Sequence, residues 1–566
     1  MSFLEHIFEN LRRAAGQPVL REARADGVVS VTGAELLALT AEARAFLRAS
    51  GLAAGDRCAI VAPNSIRWVA LDLALMAEGI VTVPLYARQA PAELAAMLRD
   101  AQPSLICAGD AELADALVSA WPVAPEALAS TIAPRRALFD EIFARTAPGS
   151  AATASGDAPP ARLAADAVVT IIYTSGTSGE AKGVQLNCRN IDHMLGCTDA
   201  RLDLLMGKST RPDRVFHYLP FCFAGSWILL LTCLMRPSVL TLSTDLARLA
   251  DDIPTANADY FLNVPTLLER MRTGIEGNLK KRGGLILRIY EGAKKEWFAR
   301  AAGGGKSGGL NLALARLIIF PAIRKRLGSN LRALICGSAP LASETQRFFE
   351  MLGVPVLQVY GLTETTAICT MDDPRHVEPG AVGPAVPGIE MRVGPNQEIL
   401  VRGPNIFPGY WNRPEETAKV LRDGWFHSGD QGEVDEAGNW RIVGRIKNLI
   451  ILNSGHNIAP EPIEEELRLA IPGAAQVVLV GNGRGYLSAI VAGPIERSLA
   501  EAEVERVNGS LPHYKQIRAL HLAPEALTIE SGLLTANGKL KRDAISMQFQ
   551  AEIEAMYEKK VESAAG

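Results

Sequence analysis

The sequence has no Cys-x-x-Cys pair. Its eight cysteines are scattered, several of them inside apolar runs, and read as reduced cytoplasmic thiols. Long hydrophobic runs are also missing: the most apolar stretch, residues 227–235, is closed by Arg236, whereas a spanning helix needs about 20 residues. No membrane crossing is expected. The N-terminus, MSFLEHIFENLRRAAG, mixes acidic and apolar residues and lacks the ordered charged, apolar and small-residue regions of a secretory signal. Nor is there an excess of one charge. With 58 basic and 62 acidic residues, a net charge of -4 gives no general attraction to nucleic acid, so any basic surface must be local.

What is present is a 566-residue chain with 48% hydrophobic and 21% charged residues. That exceeds the roughly 250 to 300 residues at which a single core stops growing, so two or more domains are expected. Residues 57–108 alternate strand-like runs (RCAIVAP, VTVPLY, SLICAGD) with helical ones (IRWVALDLALMAEG, PAELAAMLRDA), which implies a parallel sheet flanked by helices. An Ala/Gly/Pro/Ser-rich connector covers 144–165. The pattern then resumes with VVTIIYTS, FLNVPTLLERM, LRALICGSAPL and VPVLQVYGLTET, each apolar run ending in a small or polar turn. Ligands gather at such turns in parallel sheets. After Gly383 the runs become short and alternating, as in a β-rich subdomain, and the last 120 or so residues read as a separate α+β unit. The expected architecture is α/β: domain 1–445 of parallel-rich sheets with a β-rich subdomain, and a small mobile domain 446–566.

Between Ile171 and Val184 the sequence reads IIYTSGTSGEAKGV. The glycines allow close backbone approach, the hydroxyls add donors and Lys182 adds charge, which suits a phosphate chain. The nucleotide-binding P-loop is excluded, because it needs four residues between its glycines and then Gly-Lys-Ser/Thr, whereas two separate Gly176 from Gly179. On composition alone a ligand-free surface loop does as well.

The whole run resembles the phosphate-binding signature of the adenylate-forming synthetases, roughly Y-T-S-G-T-T-G-x-P-K-G-V, with Ser178 for the second Thr and Ala181 for Pro. Further motifs follow in family order: Gly337-Ser338-Ala339-Pro340 for G-G-A-P, Tyr360-Gly361-Leu362-Thr363-Glu364 for Y-G-x-T-E, Trp425 to Asp430 for W-x-x-(T/S)-G-D, Gly444 to Asn448 for the crossover between domains, and Leu534 to Leu540 for the C-terminal lysine segment. The resemblance implies that Thr174, Ser175, Gly176, Thr177, Ser178, Gly179 and Lys182 hold the β- and γ-phosphates of ATP. It places Gly337, Ser338, Ala339, Tyr360, Gly361 and Thr363 around the nucleotide, Asp430 and Arg445 at the ribose, and Thr174 with Glu364 at Mg²⁺. A carboxylate suits both tasks, having two oxygens for a diol and a hard oxygen for Mg²⁺. Lys539 would bridge the reacting carboxylate and the α-phosphate, offsetting charge where two anions meet. Lys447 would be the hinge, and Gly455 would lie beside the coenzyme A tunnel after the small domain has rotated.

Residues 280–326 hold twelve basic and two acidic residues among apolar runs. They are read either as a solvated face or as an amphipathic surface for peripheral contact with the inner face of a membrane. This segment and GRIKNLIILNSGHNIAPEPIE resemble long-chain acyl-CoA synthetases, which implies a medium- or long-chain fatty acid as substrate and coenzyme A as acceptor. The alternatives are an acyl-AMP or acyl-carrier-protein ligase, a ligase for a non-fatty acid, and a non-catalytic acyl-nucleotide sensor; the sensor predicts loss of Lys539, Glu364 or Asp430, all of which are present. At the acyl gate Phe223 stands where the family often has histidine. Oligomeric state is not legible.

Overall fold

The computed structural model describes residues 2–120, 135–144, 159–175, 181–207, 211–301, 309–535 and 538–558. Most of the connector 144–165 therefore lies outside the described residues, as do Gly176, Thr177, Ser178 and Gly179.

Two sheets share one core. The first has the order Arg135–Leu138, Leu105–Ala108, Arg57–Val61, Val81–Leu85, Val168–Ser175, Ala181–Asn187, parallel throughout except for its last pair. Its strands are Val-, Ile- and Leu-rich because helices cover both faces. The second is eight-stranded. It contains Ser238–Ser243, Asp213–His217, Tyr260–Asn263, Ala333–Cys336 and Val356–Tyr360 in parallel, and is extended at one edge by an N-terminal hairpin, Pro18–Arg24 with Gly27–Thr32. The expected α/β architecture holds, and the hairpin is an addition to it.

The apolar run that is too short to span a bilayer becomes the helix Ala224–Met235, buried on nearly every side and sharing a hydrophobic core with the helix Ile66–Ala77. Trp227 Nε1 donates to Asp72 Oδ2 at 2.8 Å within it, and burial raises the Asp72 carboxyl to about 6. Among the described residues no helix is long and apolar enough to cross a membrane.

The strands Glu390–Val393, Glu398–Arg402, Trp425–Val434 and Trp440–Arg445 form an antiparallel β subdomain. A single turn, Ile446–Asn448, leads into a three-stranded sheet of Gln476–Val480, Leu487–Ala492 and Ile517–Ala523, backed by the helices Glu461–Ala470 and Arg497–Asn508. This last unit has hydrophobic clusters of its own. Ion pairs join it to the rest: Lys541 Nζ lies 2.9 Å from Glu93 Oε1, and Arg468 pairs with the buried Glu269.

Candidate active site

A cavity of about 1620 Å³ opens where the parallel strands end and the C-terminal unit meets the larger one. Its wall includes Thr174, Lys182, Gly337, Ser338, Gly361, Thr363, Glu364, Asp430, Arg445, Lys447 and Lys539, which stand far apart in the sequence.

The phosphate-loop residues gain a local explanation. Val168–Ser175 and Ala181–Asn187 pair antiparallel, with Thr174 opposite Lys182. The segment thus joins two strands, not a strand and a helix as a P-loop does, which accounts for its different spacing. Lys182 Nζ rests 2.5 Å from Glu416 Oε2 and 5.3 Å from the centre of the Tyr410 ring.

Gly361 is required by contact. A Cβ there would lie 2.3 Å from the carbonyl oxygen of Ala367, so the turn after Tyr360 closes tightly and carries Thr363 and Glu364 into the cavity. Glu364 Oε1 accepts a hydrogen bond from Tyr410 Oη at 2.8 Å, leaving Oε2 for another partner. Ser338, which stands where the family pattern has glycine, has a φ of 74°, in the left-handed region where a side chain costs about 1 to 2 kcal/mol. Ala339 is exposed beside it.

Asp430 is 4% exposed. Arg445 Nε meets its Oδ1 at 2.9 Å and Tyr360 Oη meets its Oδ2 at 2.9 Å. Each oxygen keeps a further lone pair for a ligand. Tyr360 is buried behind the carboxylate, and the site feature it provides is this hydrogen bond.

Lys539 is held by a closed loop. Its N–H donates to Thr535 Oγ1 at 2.9 Å, and its carbonyl accepts from Thr535 N–H at 2.8 Å; Gly538 takes the positive φ of 77° that the turn needs. Surrounding protein and then the charge of Arg445 lower the Lys539 ammonium to about 8; because the side chain is exposed to the cleft, water limits the size of this shift without changing its direction. Lys447 is lowered to about 8 by the same two causes, and Lys539 adds to the effect. Three cationic side chains thus converge on the cavity, close enough for the charges of Asp430 and Glu364 to act on Lys539.

Residues 9–411 match the family described as AMP-binding enzyme, and residues 447–561 match its C-terminal domain. The chain belongs to the AMP-binding enzyme family. It is 30% identical over 569 residues to the long-chain-fatty-acid–CoA ligase FadD15 of Mycobacterium bovis, covering 94% of this chain and 93% of that one. Long chain acyl-CoA synthetase 3 of Arabidopsis thaliana is 27% identical, with 91% and 84% covered. Among solved structures, ATP-bound MatB from Rhodopseudomonas palustris superposes with a TM-score of 0.71 at 24% identity, covering 97% of this chain and 99% of that one. A Mycobacterium tuberculosis fatty acyl CoA synthetase gives 0.63 at 22% identity, covering 98% and 100%. These structures establish the shared fold.

Among the family positions, Gly455 and Ala339 lie outside the cavity wall, whereas Phe223 is part of it. Gly455, with φ 82° and open space around it, lies in an exposed turn outside the cavity wall; the small domain presents Lys539 in its place. Phe223 caps the helix Ala224–Met235 and lines the cavity, its ring centre 6.1 Å from that of Tyr86. Sequence reasoning missed Tyr410 and Glu416, which hold Glu364 and Lys182; the FPGYW run that contains Tyr410 signalled only strand and turn.

The described residues contain no group of three or more metal-ligating side chains. The Thr174 hydroxyl and the Glu364 carboxylate are nevertheless hard oxygen donors on one cavity wall, which fits an Mg²⁺ ion that arrives on nucleotide phosphates and keeps most of its ligands from them and from water.

Proposed function

We propose that the protein activates a medium- or long-chain fatty acid with ATP through an acyl-AMP intermediate and transfers the acyl group to coenzyme A, giving acyl-CoA, AMP and pyrophosphate. The observation that carries this is the convergence of Lys539, Arg445, Asp430 and Glu364 on a cavity whose wall also takes apolar residues such as Ile228, Leu229, Leu262 and Met371.

Residues 174–182 grip the β- and γ-phosphates, with Lys182 leaving Glu416 for the anion. Asp430 receives the ribose hydroxyls while Arg445 and Tyr360 hold it in place, and Gly337, Ser338, Gly361 and Thr363 border the nucleotide. Mg²⁺, held by Thr174 and Glu364, would neutralise phosphate charge. Lys539 lies between the fatty carboxylate and the α-phosphate; a carboxylate oxygen bonds to phosphorus and pyrophosphate departs. The small domain then turns about Lys447, withdrawing Lys539 and bringing the Gly455 turn to the cleft. The thiol of coenzyme A attacks the acyl carbonyl and AMP leaves. One cavity serves both reactions through a domain motion.

Peripheral contact with an anionic membrane belongs to the same proposal. The helix Leu310–Leu314 runs on through Ala315–Ile319 into Phe320–Leu327. Its inner side is buried, yet its outer side shows Leu310 at 74% and Leu317 at 75% exposure, among Arg316, Lys325 and Arg326 and with no acidic residue. A helix apolar on both sides needs cover, and its charge favours anionic lipid. Sedimentation with anionic vesicles should fail for Leu310→Ser/Leu317→Ser. The eight thiols are free and buried, which supports the cytoplasmic reading.

The deciding experiment is ATP–pyrophosphate exchange over a panel of fatty acids, repeated with coenzyme A and thioester detection. Absence of exchange with every acid would sink the synthetase reading.

A further inference from the structure

Beyond the nucleotide cleft, the cavity wall takes Gly225, Ile228, Leu229 and Thr232 from the helix Ala224–Met235. Their spacing is that of one helix face, so the cavity follows this helix for about two turns, ~10 Å at 1.5 Å per residue. Leu202 and Thr198 of the neighbouring helix Cys188–Met206, and Ala367 and Met371, complete this arm.

The arm changes character at Thr232. Thr232 Oγ1 donates to Ile228 O at 2.7 Å, which commits its proton and leaves its oxygen as an acceptor. Thr198 Oγ1 stands 2.9 Å from it across the two helices and 3.0 Å from Met194 O. One helical turn further along lies a charged knot. Arg236 follows Thr232 by four residues, and its guanidinium reaches Asp213 Oδ2 at 2.9 Å and Asp203 Oδ1 at 3.1 Å and pairs with Asp199. Asp199 and Asp203 sit on the Thr198 helix, just beyond Thr198. Arg236 and Asp213 are largely buried, with side-chain exposures of 10% and 4%.

We infer that the Thr198–Thr232 hydroxyl pair, backed by the Arg236 ion cluster, is the floor of the acyl channel and fixes the longest chain that is accepted; this rests on the fatty-acid reading above. A methyl end that reaches Thr232 meets two hydroxyls already satisfied by each other and by helix carbonyls. To pass them it must separate this pair and then place alkyl surface against the largely buried Arg236–Asp213 ion pair, whose remaining hydration is costly to remove. The stop is therefore energetic as well as steric. Neither threonine touches the reacting atoms.

The test compares kcat/KM in ATP–pyrophosphate exchange for saturated acids of increasing length, each taken as a ratio to a short acid that ends before Thr232. For Thr232→Ala the ratio for the first acid excluded by the wild type should rise about tenfold or more, and for Thr232→Leu the cut-off should move to shorter acids. Thr232→Val keeps the bulk and removes the hydroxyl, so a cut-off that still moves upward assigns the stop to polarity. Thr198→Ser, which keeps the hydroxyl and trims the methyl, guards against a variant that fails to fold and should also move the cut-off upward. An unchanged length profile in variants that still exchange with short acids would overturn the floor. No exchange by the wild type with any acid would instead overturn the fatty-acid reading beneath it.

Discussion

Tyr360 donates its phenolic proton to Asp430 at 2.9 Å from inside the core, while Arg445 holds the opposite carboxylate oxygen from the cleft side. The carboxylate is thus fixed in plane before any ligand arrives, and its remaining lone pairs face the cavity. Preorganisation of this kind lowers the ordering cost of binding.

Tyr360→Phe removes one hydrogen bond and little volume. Loss of a single bond of about 0.5 to 1.5 kcal/mol should raise the KM for ATP by roughly two- to tenfold with a smaller change in kcat. Initial-rate kinetics would show this; an unchanged KM would mean that Arg445 alone orients Asp430.

Lys539→Ala should separate the two half-reactions. Adenylation loses the cation between two anions, a deficit on the order of a hundredfold or more in comparable oxyanion sites. Thioester formation from supplied acyl-AMP should survive, because the proposed rotation withdraws Lys539 before the thiol attacks. Equal loss of both would refute the role.

Both lysines in the cleft are lowered to about 8, which sets a pH dependence. Adenylation needs the ammonium form of Lys539, so its kcat/KM should fall as pH rises through about 8. Bound phosphates favour the charged forms, so kcat should fall at a higher pH than kcat/KM. Stability has the opposite sign. The folded pKa lies below the unfolded 10.5, so the unfolded chain binds more protons between the two values and stability rises with pH across that window. A pH profile of exchange beside denaturant midpoints from pH 7.5 to 10.5 checks both signs.

Much of the α/β frame was legible because its strands are short apolar runs that stop at small or polar turns, and those turns carry the chemistry. Glu364, Asp430 and Lys539 could be named because the motifs that hold them resemble those of the adenylate-forming synthetases. Other features had no local signal. The hairpin Pro18–Arg24 and Gly27–Thr32 has no long apolar run, and its second strand is largely solvent-facing; its pairing to the sheet is made with Ser238–Ser243, more than two hundred residues away. Tyr410 becomes a partner of Glu364 only when the β subdomain folds over the parallel strands. Thr198 and Thr232 sit in helices whose patterns read as ordinary core; what makes them a pair is the packing of one helix on the other. Ser338 was visible as a departure from the family pattern, but its positive φ was not.

The ion pair between Arg468 of the small domain and Glu269 of the large one should bias the domain equilibrium. Glu269 is 4% exposed, and burial together with the nearby Glu465 raises its carboxyl to about 7. Arg468 also binds Glu465 on its own helix at 2.7 Å, so it keeps a partner when the domains part, whereas Glu269 loses this cation. Glu269→Gln removes the buried charge and weakens the contact by about 1 to 3 kcal/mol, while Lys541 and Glu93 still hold the interface on the other side of the cleft. The variant should adenylate more slowly, by several-fold to about a hundredfold, and should retain or gain thioester formation from supplied acyl-AMP. Single-turnover measurement of each half-reaction decides it, because a parallel fall in both would mean that the pair stabilises the fold without selecting the adenylating arrangement.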